Sequence, residues 1–435
     1  MRACIHPEDS LHISKITLVW TLASCAFAQS TMDQLVQQAL ANNRELQALR
    51  QKLPEARGAR LQAGLRPNPT FEMNLSNGAI IRNSGYWDGG VGLSQIIELG
   101  KKRERRVEVT EADIRAAELE IKERERLLRS SVQNAYVDAL SAARNLQTAQ
   151  ELLKLAEQGA AVVAARVEQG EAPALDRSLV AVELGRVRAD LVLFGNQRSR
   201  ALTTLRTLTA MPVNAPLDLA PVLETPHSAI VLANESVQSA LANRPDLQLL
   251  RQMEVGSEAS IRLERSLAVP NVTATSRFTY TYDFIQRLQI SPSLSLAVTD
   301  RCPIITVGFS VDLPWRNKNQ GNIEAAVARR QNVRLMREHQ EHVVAQEVQA
   351  AVERWEAAQS AVQLFEKQVL EQSRDNLRVV QAVYSAGELR LLDVINEQRK
   401  LNDAQRTYTD LLRERLLALV DLERATGSEL MRGKP

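Results

Sequence analysis

The sequence predicts a mainly α-helical chain with a small β part, in which one half-chain module is written twice. Three observations carry that reading. Helix breakers vanish over two long stretches, four short segments alternate apolar with polar residues, and "ALANNRELQ" (39–47) returns as "ALANRPDLQ" (240–248). A spacing of 201 residues is too long for a solenoid unit and marks a duplicated half-chain. Composition agrees. Among 435 residues, aromatics are 4%, and Gly (18) and Pro (15) are sparse, which favours long helices over a sheet-rich core. The 54 basic and 52 acidic residues nearly cancel, so no basic excess points to nucleic acid.

The N-terminus reads as a targeting segment. "ISKITLVWTLASCAFAQS" (13–30) carries a Lys and then an apolar run from Ile16 to Phe27. Ala26-Phe27-Ala28 fits the small-x-small rule, with cleavage before Gln29 and a signal peptide over 1–28. Leu22-Ala23-Ser24-Cys25 offers a second reading, a lipoprotein box with lipidation at Cys25. Glu8 and Asp9 are unusual ahead of a signal and suggest a true start further downstream. Cleavage after Ala28 removes Cys4 and Cys25 and leaves Cys302 alone, so no intramolecular disulfide is expected. No later run of 18 apolar residues occurs. A membrane-spanning part would therefore have to be a β-barrel.

The long helices follow from what is missing. No Pro lies between Pro69 and Pro173, no Gly between Gly100 and Gly159, and neither between Gly321 and Gly387. Val348, Trp355, Val362 and Val369 recur every seven residues with Val352 between, a coiled-coil-like seam. About 65 helical residues reach roughly 100 Å, far beyond a compact domain. Each long helix is followed by a Gly-containing turn and a return helix, over 174–210 and 389–425.

The four strands follow from alternation. In "TFEMNLS" (70–76), Phe71, Met73 and Leu75 share a face; in "GGVGLSQIIEL" (89–99), Val91 and Leu93 do. In "VTATSRFTYTY" (272–282), Val272, Ala274, Phe278, Tyr280 and Tyr282 oppose a face of Thr and Arg. In "ITVGFSVDL" (305–313), Ile305, Val307, Phe309, Val311 and Leu313 oppose Thr306, Gly308, Ser310 and Asp312. These lengths suit a tilted membrane strand, with Tyr86, Trp87, Tyr282 and Phe284 at the ends as an interfacial girdle. A soluble sheet capping a helical bundle is the other reading. The repeat marker "VGLSQ" (91–95) answers "VGFSV" (307–311) at 216, and Gly170 and Asp176 answer Gly387 and Asp393 at 217. The growth from 201 places a longer loop in the second half, around 283–303. The expected organisation is a first repeat over 29–215, a second over 216–430 and a tail over 431–435. Four strands cannot close a barrel, and an open edge in lipid is costly, so strands must be pooled between copies. Two copies give eight strands and three give twelve.

At this point the residues resemble the outer-membrane efflux proteins, the TolC family, over about residues 32–430. "RPNPTFEMNLS" resembles the family's entry to its first strand, and "YSAGELRLLDVINEQRKLNDAQ" (384–405) its second helical tip. "SQIIELGKKRERRVEVTEA" and "LPWRNKNQGNIEAA" resemble the cobalt-zinc-cadmium branch, with Lys101 where that branch usually has Gly. The resemblance implies a homotrimer whose chains form a 12-stranded outer-membrane β-barrel and a long periplasmic α-barrel. It implies a passive channel rather than an enzyme, working with a periplasmic adaptor docked at the tips (Gly170, Gly387) and a proton-driven inner-membrane pump. Divalent heavy-metal cations are the implied cargo. A drug or organic-solute channel of the same family is the alternative, and a periplasmic coiled-coil scaffold the reading from another class.

No nucleophile constellation and no cofactor motif stands out among five His and three Cys. His339 and His342 are three apart on a helix but read as a solvated face, so no metal site is expected. Each tip Gly permits a tight turn. By resemblance, Asp393 falls on an aperture-ring position and Asn396 where a second ring Asp is usual. Asp176 falls on a position that ties neighbouring tips, with Tyr384 as its hydrogen-bonding partner, and Leu389 stands in the latch Arg position beside Arg390. Capping of the return helices is the plain structural role for both Asp residues.

Overall fold

The computed structural model describes residues 30–77, 86–220 and 233–428. The expected leader and Cys25 lie outside them. The first half runs α1 (Met32–Asn42), α2 (Arg44–Arg50), α3 (Lys52–Ala63), β1 (Thr70–Asn77), β2 (Tyr86–Ile97), α4 (Lys102–Glu168) and α5 (Ala174–Leu208). The second runs α6 (Ala233–Asn243), α7 (Pro245–Leu267), β3 (Val272–Ser291), β4 (Leu294–Val311), α8 (Gln320–Phe365), a π turn (Glu366–Leu370), α9 (Glu371–Ser385) and α10 (Leu391–Thr426). Short helices, two strands and a helical hairpin recur in the same order. At 67 residues, α4 is roughly 100 Å long.

The duplication is visible atom by atom. Asn43 breaks α1 from α2, caps Leu46 N–H, and donates to the Leu208 carbonyl (3.1 Å). Arg244, 201 residues on, breaks α6 from α7 and donates to the Ala425 carbonyl (3.2 Å). Thr209 and Thr426 both donate to a carbonyl four residues back, at 2.7 and 2.8 Å. Ala210 and Gly427 follow them, both with positive φ. Each half has its own core. In the first, Leu35, Ala39 and Leu46 pack on Val132, Tyr136, Leu202 and Leu205. In the second, Ala240 and Leu247 pack on Val348, Val352, Leu419 and Leu422.

One core position departs from the expected seam. Val348, Val352, Trp355 and Val362 are buried, but Val369 is 40% exposed and Leu370 takes the buried place at 4%. The π turn at Glu366–Leu370 is the cause, because it admits one extra residue and slips the seam by one. The repeat offset accordingly changes from 216 (Val132 to Val348) to 217 (Gly170 to Gly387) across it.

The strands form one antiparallel sheet in the order β1-β2-β3-β4. The expected loop around 283–303 is instead mostly strand: β3 and β4 continue as a hairpin past the end of β2, turning at Pro292–Ser293. Tyr282 therefore lies within β3, paired with Trp87, rather than at a strand end. The Phe284 and Tyr86 side chains lie outside the described residues. Pro303 sits within β4, opposite Tyr280 of β3, and among the described residues the other edge of β4 pairs with no strand.

The sheet has two faces. Cross-strand register aligns Phe71, Leu93 and Val307 in one row and Met73, Val91, Phe278 and Ile305 in the next. Phe71, Met73, Leu75, Ile305, Val307 and Phe309 are all at least 64% exposed, an apolar face no water-facing sheet would present. Trp87 lies over Gly89 on that face, where an added Cβ would meet the indole at 2.8 Å. On the opposite face Arg277 reaches across Gly92 to Glu72 (2.8 Å) and Asn74 (3.4 Å). No described helix is long and apolar enough to cross a membrane.

Candidate functional site at the hairpin tips

The end of the helical hairpins remote from the sheet holds the sequence-predicted residues. Each long helix ends on a glycine in the left-handed region, Gly170 at φ +77° and Gly387 at φ +83°. Their neighbours complete the same motif. Glu171 N–H donates to the Arg166 carbonyl (2.8 Å) and Glu388 N–H to the Val383 carbonyl (3.3 Å). These bonds close carbonyls that the helix end leaves open. No atom lies within 4 Å of a Cβ built on either glycine, so conformation alone calls for Gly there.

The two return helices then start differently. The Asp393 carboxylate accepts the Arg390 N–H at 3.1 Å, satisfying a donor at the start of α10. Pro173 occupies the matching place ahead of Asp176 and has no N–H to give. Asp176 is half-buried in the first turn of α5, and among the described residues its carboxylate has no hydrogen-bond or ion-pair partner. Asp393 and Asn396 are both exposed, one turn apart on α10. Within the chain, Tyr384 is joined to Arg166 rather than to Asp176. The guanidinium donates to its hydroxyl (3.2 Å) and lies 6.0 Å from its ring centre. Leu389 is half-buried and Arg390 exposed.

The chain's two hairpins are fastened together by side chains that belong to none of the sequence motifs. Arg399, Arg406 and Arg413 are seven apart on α10, a spacing that keeps them on one stripe. They meet Glu183 (2.6 Å), Asp190 (2.5 Å) and Asp138 (2.6 Å) on the first hairpin. Arg406 also lies 4.9 Å from the ring centre of Phe194. Burial pushes the Glu183 carboxyl up, but hydrogen bonds from Arg186 and Arg399 outweigh it and hold the group below the usual carboxylate range. Closer to the tip, Val163, Val180 and Ile395 form a small buried cluster across α4, α5 and α10. The heptad spacing of the arginines was the available signal.

No group of three or more described His, Cys, Asp or Glu side chains could hold a metal ion. His339 and His342 are exposed on α8. Their neighbours Glu338 and Glu341 are occupied by Arg334 and Arg337, at 2.9 Å each.

A sheet with one bare apolar face, joined to hairpins of membrane-remote length and repeated once per chain, is the shape on which comparison with known proteins bears. The profile of the family "Outer membrane efflux protein" matches residues 35–211 and 236–428, one stretch in each half. The chain belongs to the outer membrane efflux protein family. It is similar to the "Pyoverdine export outer membrane protein OpmQ" of Pseudomonas aeruginosa, 24% identical over 92% of this chain and 86% of that protein. It is also similar to the "Cobalt-zinc-cadmium resistance protein CzcC" of Cupriavidus metallidurans, 22% identical over 91% and 90%. Among solved structures, the CusC channel superposes with a TM-score of 0.74 at 20% identity, covering 92% of this chain and 93% of that one. This efflux protein is thus an outer-membrane channel component and not an enzyme. Its four-stranded sheet and its long hairpins are consistent with the β-barrel part and the α-barrel part of that fold.

Proposed function

We propose that three copies of this efflux protein close into one passive conduit from periplasm to exterior, each processed chain supplying its two repeats (29–215 and 216–430). The observation that carries this reading is the sheet. The outer edges of β1 and β4 pair with no described strand, and the face beside them is apolar. Lipid tolerates neither an open edge nor a four-stranded barrel, whereas three copies supply twelve strands in a closed ring. The hairpins then become six staves around one axis. Asp393 and Asn396 line the periplasmic aperture, and Asp176 faces the neighbouring chain's tip, which accounts for a carboxylate left without a partner in its own chain. A periplasmic adaptor seats on the turns at Gly170 and Gly387, and a proton-driven inner-membrane pump supplies the energy.

Divalent heavy-metal cations are the proposed cargo, supported by "SQIIELGKKRERRVEVTEA", "LPWRNKNQGNIEAA" and the likeness to a cobalt-zinc-cadmium resistance protein. The likeness to a pyoverdine exporter favours an organic solute as the second reading. Native mass determination of the outer-membrane fraction should give a trimer; a monomer would overturn the conduit. Deleting the gene should sensitise cells to cobalt, zinc or cadmium. Sensitivity to organic solutes alone would replace the cargo. Asp393→Ala should lower cation selectivity in planar bilayers, and an unchanged selectivity would remove Asp393 from the aperture.

A further inference from the structure

Ser30, just past the expected leader, is fastened far from the sheet. Its N–H donates to the Asp218 carbonyl (2.8 Å), and its carbonyl accepts from the Ala220 N–H (3.3 Å), a parallel bridge at Leu219. The buried Tyr136 hydroxyl donates to the Ser30 and Ala220 carbonyls (3.4 and 3.1 Å). One residue on, Thr31 and Gln34 close a capping box at the start of α1. We infer that Cys25 is removed with the leader and carries no lipid: the chain is cut after Ala28, and its new N-terminus is held midway along α4, out of reach of the membrane. This rests on the reading of the sheet as the membrane part.

Two rulers give the distance. The lowest apolar row of the sheet is where Val272 pairs with Ile97 and Val311, and α4 starts just beyond it at Lys102. Tyr136 lies 34 residues further along α4, about 50 Å away. The short helices agree. Arg50 meets Glu125, Lys52 meets Glu120 and Arg60 meets Glu111, and Arg106 donates to the Ala63 carbonyl (3.3 Å). The chain therefore climbs beside α4 toward the sheet, and Ser30 stands at the foot of that climb. From Met32 to Ala63 it spends 32 residues, again about 50 Å of helix.

Cys25 is five residues ahead of Ser30, and five extended residues reach at most about 18 Å. A lipid on Cys25 anchors the chain only if its acyl tails enter the bilayer. The shortfall is about 30 Å, and freeing Ser30 and Thr31 from their bonds recovers only about 7 Å of it. The leader itself agrees. Its apolar run extends from Ile16 to Phe27 and so passes through Cys25, whereas Ala26-Phe27-Ala28 stands at its end, where a cleavage site belongs. Cleavage there leaves Gln29 ahead of Ser30, so the Ser30 nitrogen remains an amide N–H and keeps its bond to Asp218.

The test is the mass of the N-terminal peptide of the full chain, expressed with its own leader and recovered from the outer membrane. It should begin at Gln29, free or cyclised with loss of ammonia. Any other first residue, or a lipid on Cys25, overturns the proposal. Cys25→Ser should leave processing and the outer-membrane level unchanged, whereas Ala28→Leu should block cleavage and accumulate the precursor. Loss of processing in Cys25→Ser would assign the cut to the lipoprotein route instead. A chain that begins at Gln29 but is recovered from the soluble periplasm would sink the membrane reading of the sheet and leave the cleavage site standing.

Discussion

Asn43 and Arg244 hold the same place in the two halves, and each reaches the last turn of its own return helix, at the Leu208 and Ala425 carbonyls. Beyond that shared bond they part. Asn43 is a neutral helix cap. Arg244 is 3% exposed and also grips Asp246 (2.6 Å) and Glu347 (2.7 Å). The same contrast runs through the molecule. Backbone devices survive duplication nearly unchanged: the left-handed Gly at each tip, the Thr before each helix end, the break in each short helix pair. The side chains on them have been reassigned. A backbone device has few alternatives that satisfy the same N–H and C=O groups, whereas a side-chain contact can be exchanged for any other of similar worth. Two repeats can therefore build a near-symmetric scaffold and still make unlike side-chain contacts.

Substitution at this matched pair should show the largest difference. Arg244→Ala takes the guanidinium from the mostly buried Asp246, whose carboxylate it holds low against the upward push of burial, and leaves it the Leu247 N–H (2.9 Å) and the Gln340 amide (3.1 Å) as partners. Removing one member of a buried pair costs about 3–5 kcal/mol. Asn43→Ala loses a cap and one hydrogen bond, about 1 kcal/mol. Denaturant melts of both variants check this, and equal losses would mean the two positions do the same structural work.

The tips should respond alike where the backbone decides. Gly170→Ala and Gly387→Ala meet open space, so only the left-handed conformation opposes them, at about 1–2 kcal/mol each. Matched thermal shifts at the two sites are expected. A large excess at one would reveal a contact that the duplication has not preserved. Asp393→Ala should then cost about 1 kcal/mol through the lost bond to Arg390 N–H, and Asp176→Ala should stay within about 0.5 kcal/mol. Reversal of that order would show that Asp176, not Asp393, secures its return helix.

The hairpins were legible because Pro and Gly are absent over long windows and reappear at the turns. The strand faces were legible from Phe71-Met73-Leu75 and Ile305-Val307-Phe309. The extension of β3 and β4 was not, because alternation fades after Tyr282 and Pro303 reads as a breaker. A strand can carry Pro where its N–H is not needed for pairing, which no local pattern announces. The slip from Val369 to Leu370 was hidden for a related reason: a π turn adds one residue without changing composition. At the tips, Gly170, Gly387 and the two Asp residues stood out, while the Arg399, Arg406 and Arg413 stripe has nothing but its heptad spacing to mark it. Their partners lie about 215 to 275 positions away, and only the fold brings them together.

The smallest expected effect concerns the join between the hairpins. The Glu183 carboxyl sits below its ordinary range because the hydrogen bonds from Arg186 and Arg399 outweigh burial. A depressed carboxylate stabilises the fold fully above its unfolded value, about 4.3, and that contribution fades as pH falls through the lower folded value. The tie between hairpins should therefore be intact at pH 7 and weaken only in acid below about pH 4. Comparing Glu183→Gln with the parent chain isolates it. The variant should melt slightly lower from pH 5 to 8, and the gap should close as the parent is acidified. Lys400 occupies the position 217 residues on and pairs only within its own helix, with Glu397 (3.0 Å), so Lys400→Gln should show at most the small acid-dependent gap of a local helix pair, about 0.5 kcal/mol or less. If both substitutions gave the same pH profile, the Glu183–Arg399 pair would have no counterpart in the energetics, and the join between the hairpins would rest on the Arg406 and Arg413 ties and the apolar tip cluster of Val163, Val180 and Ile395.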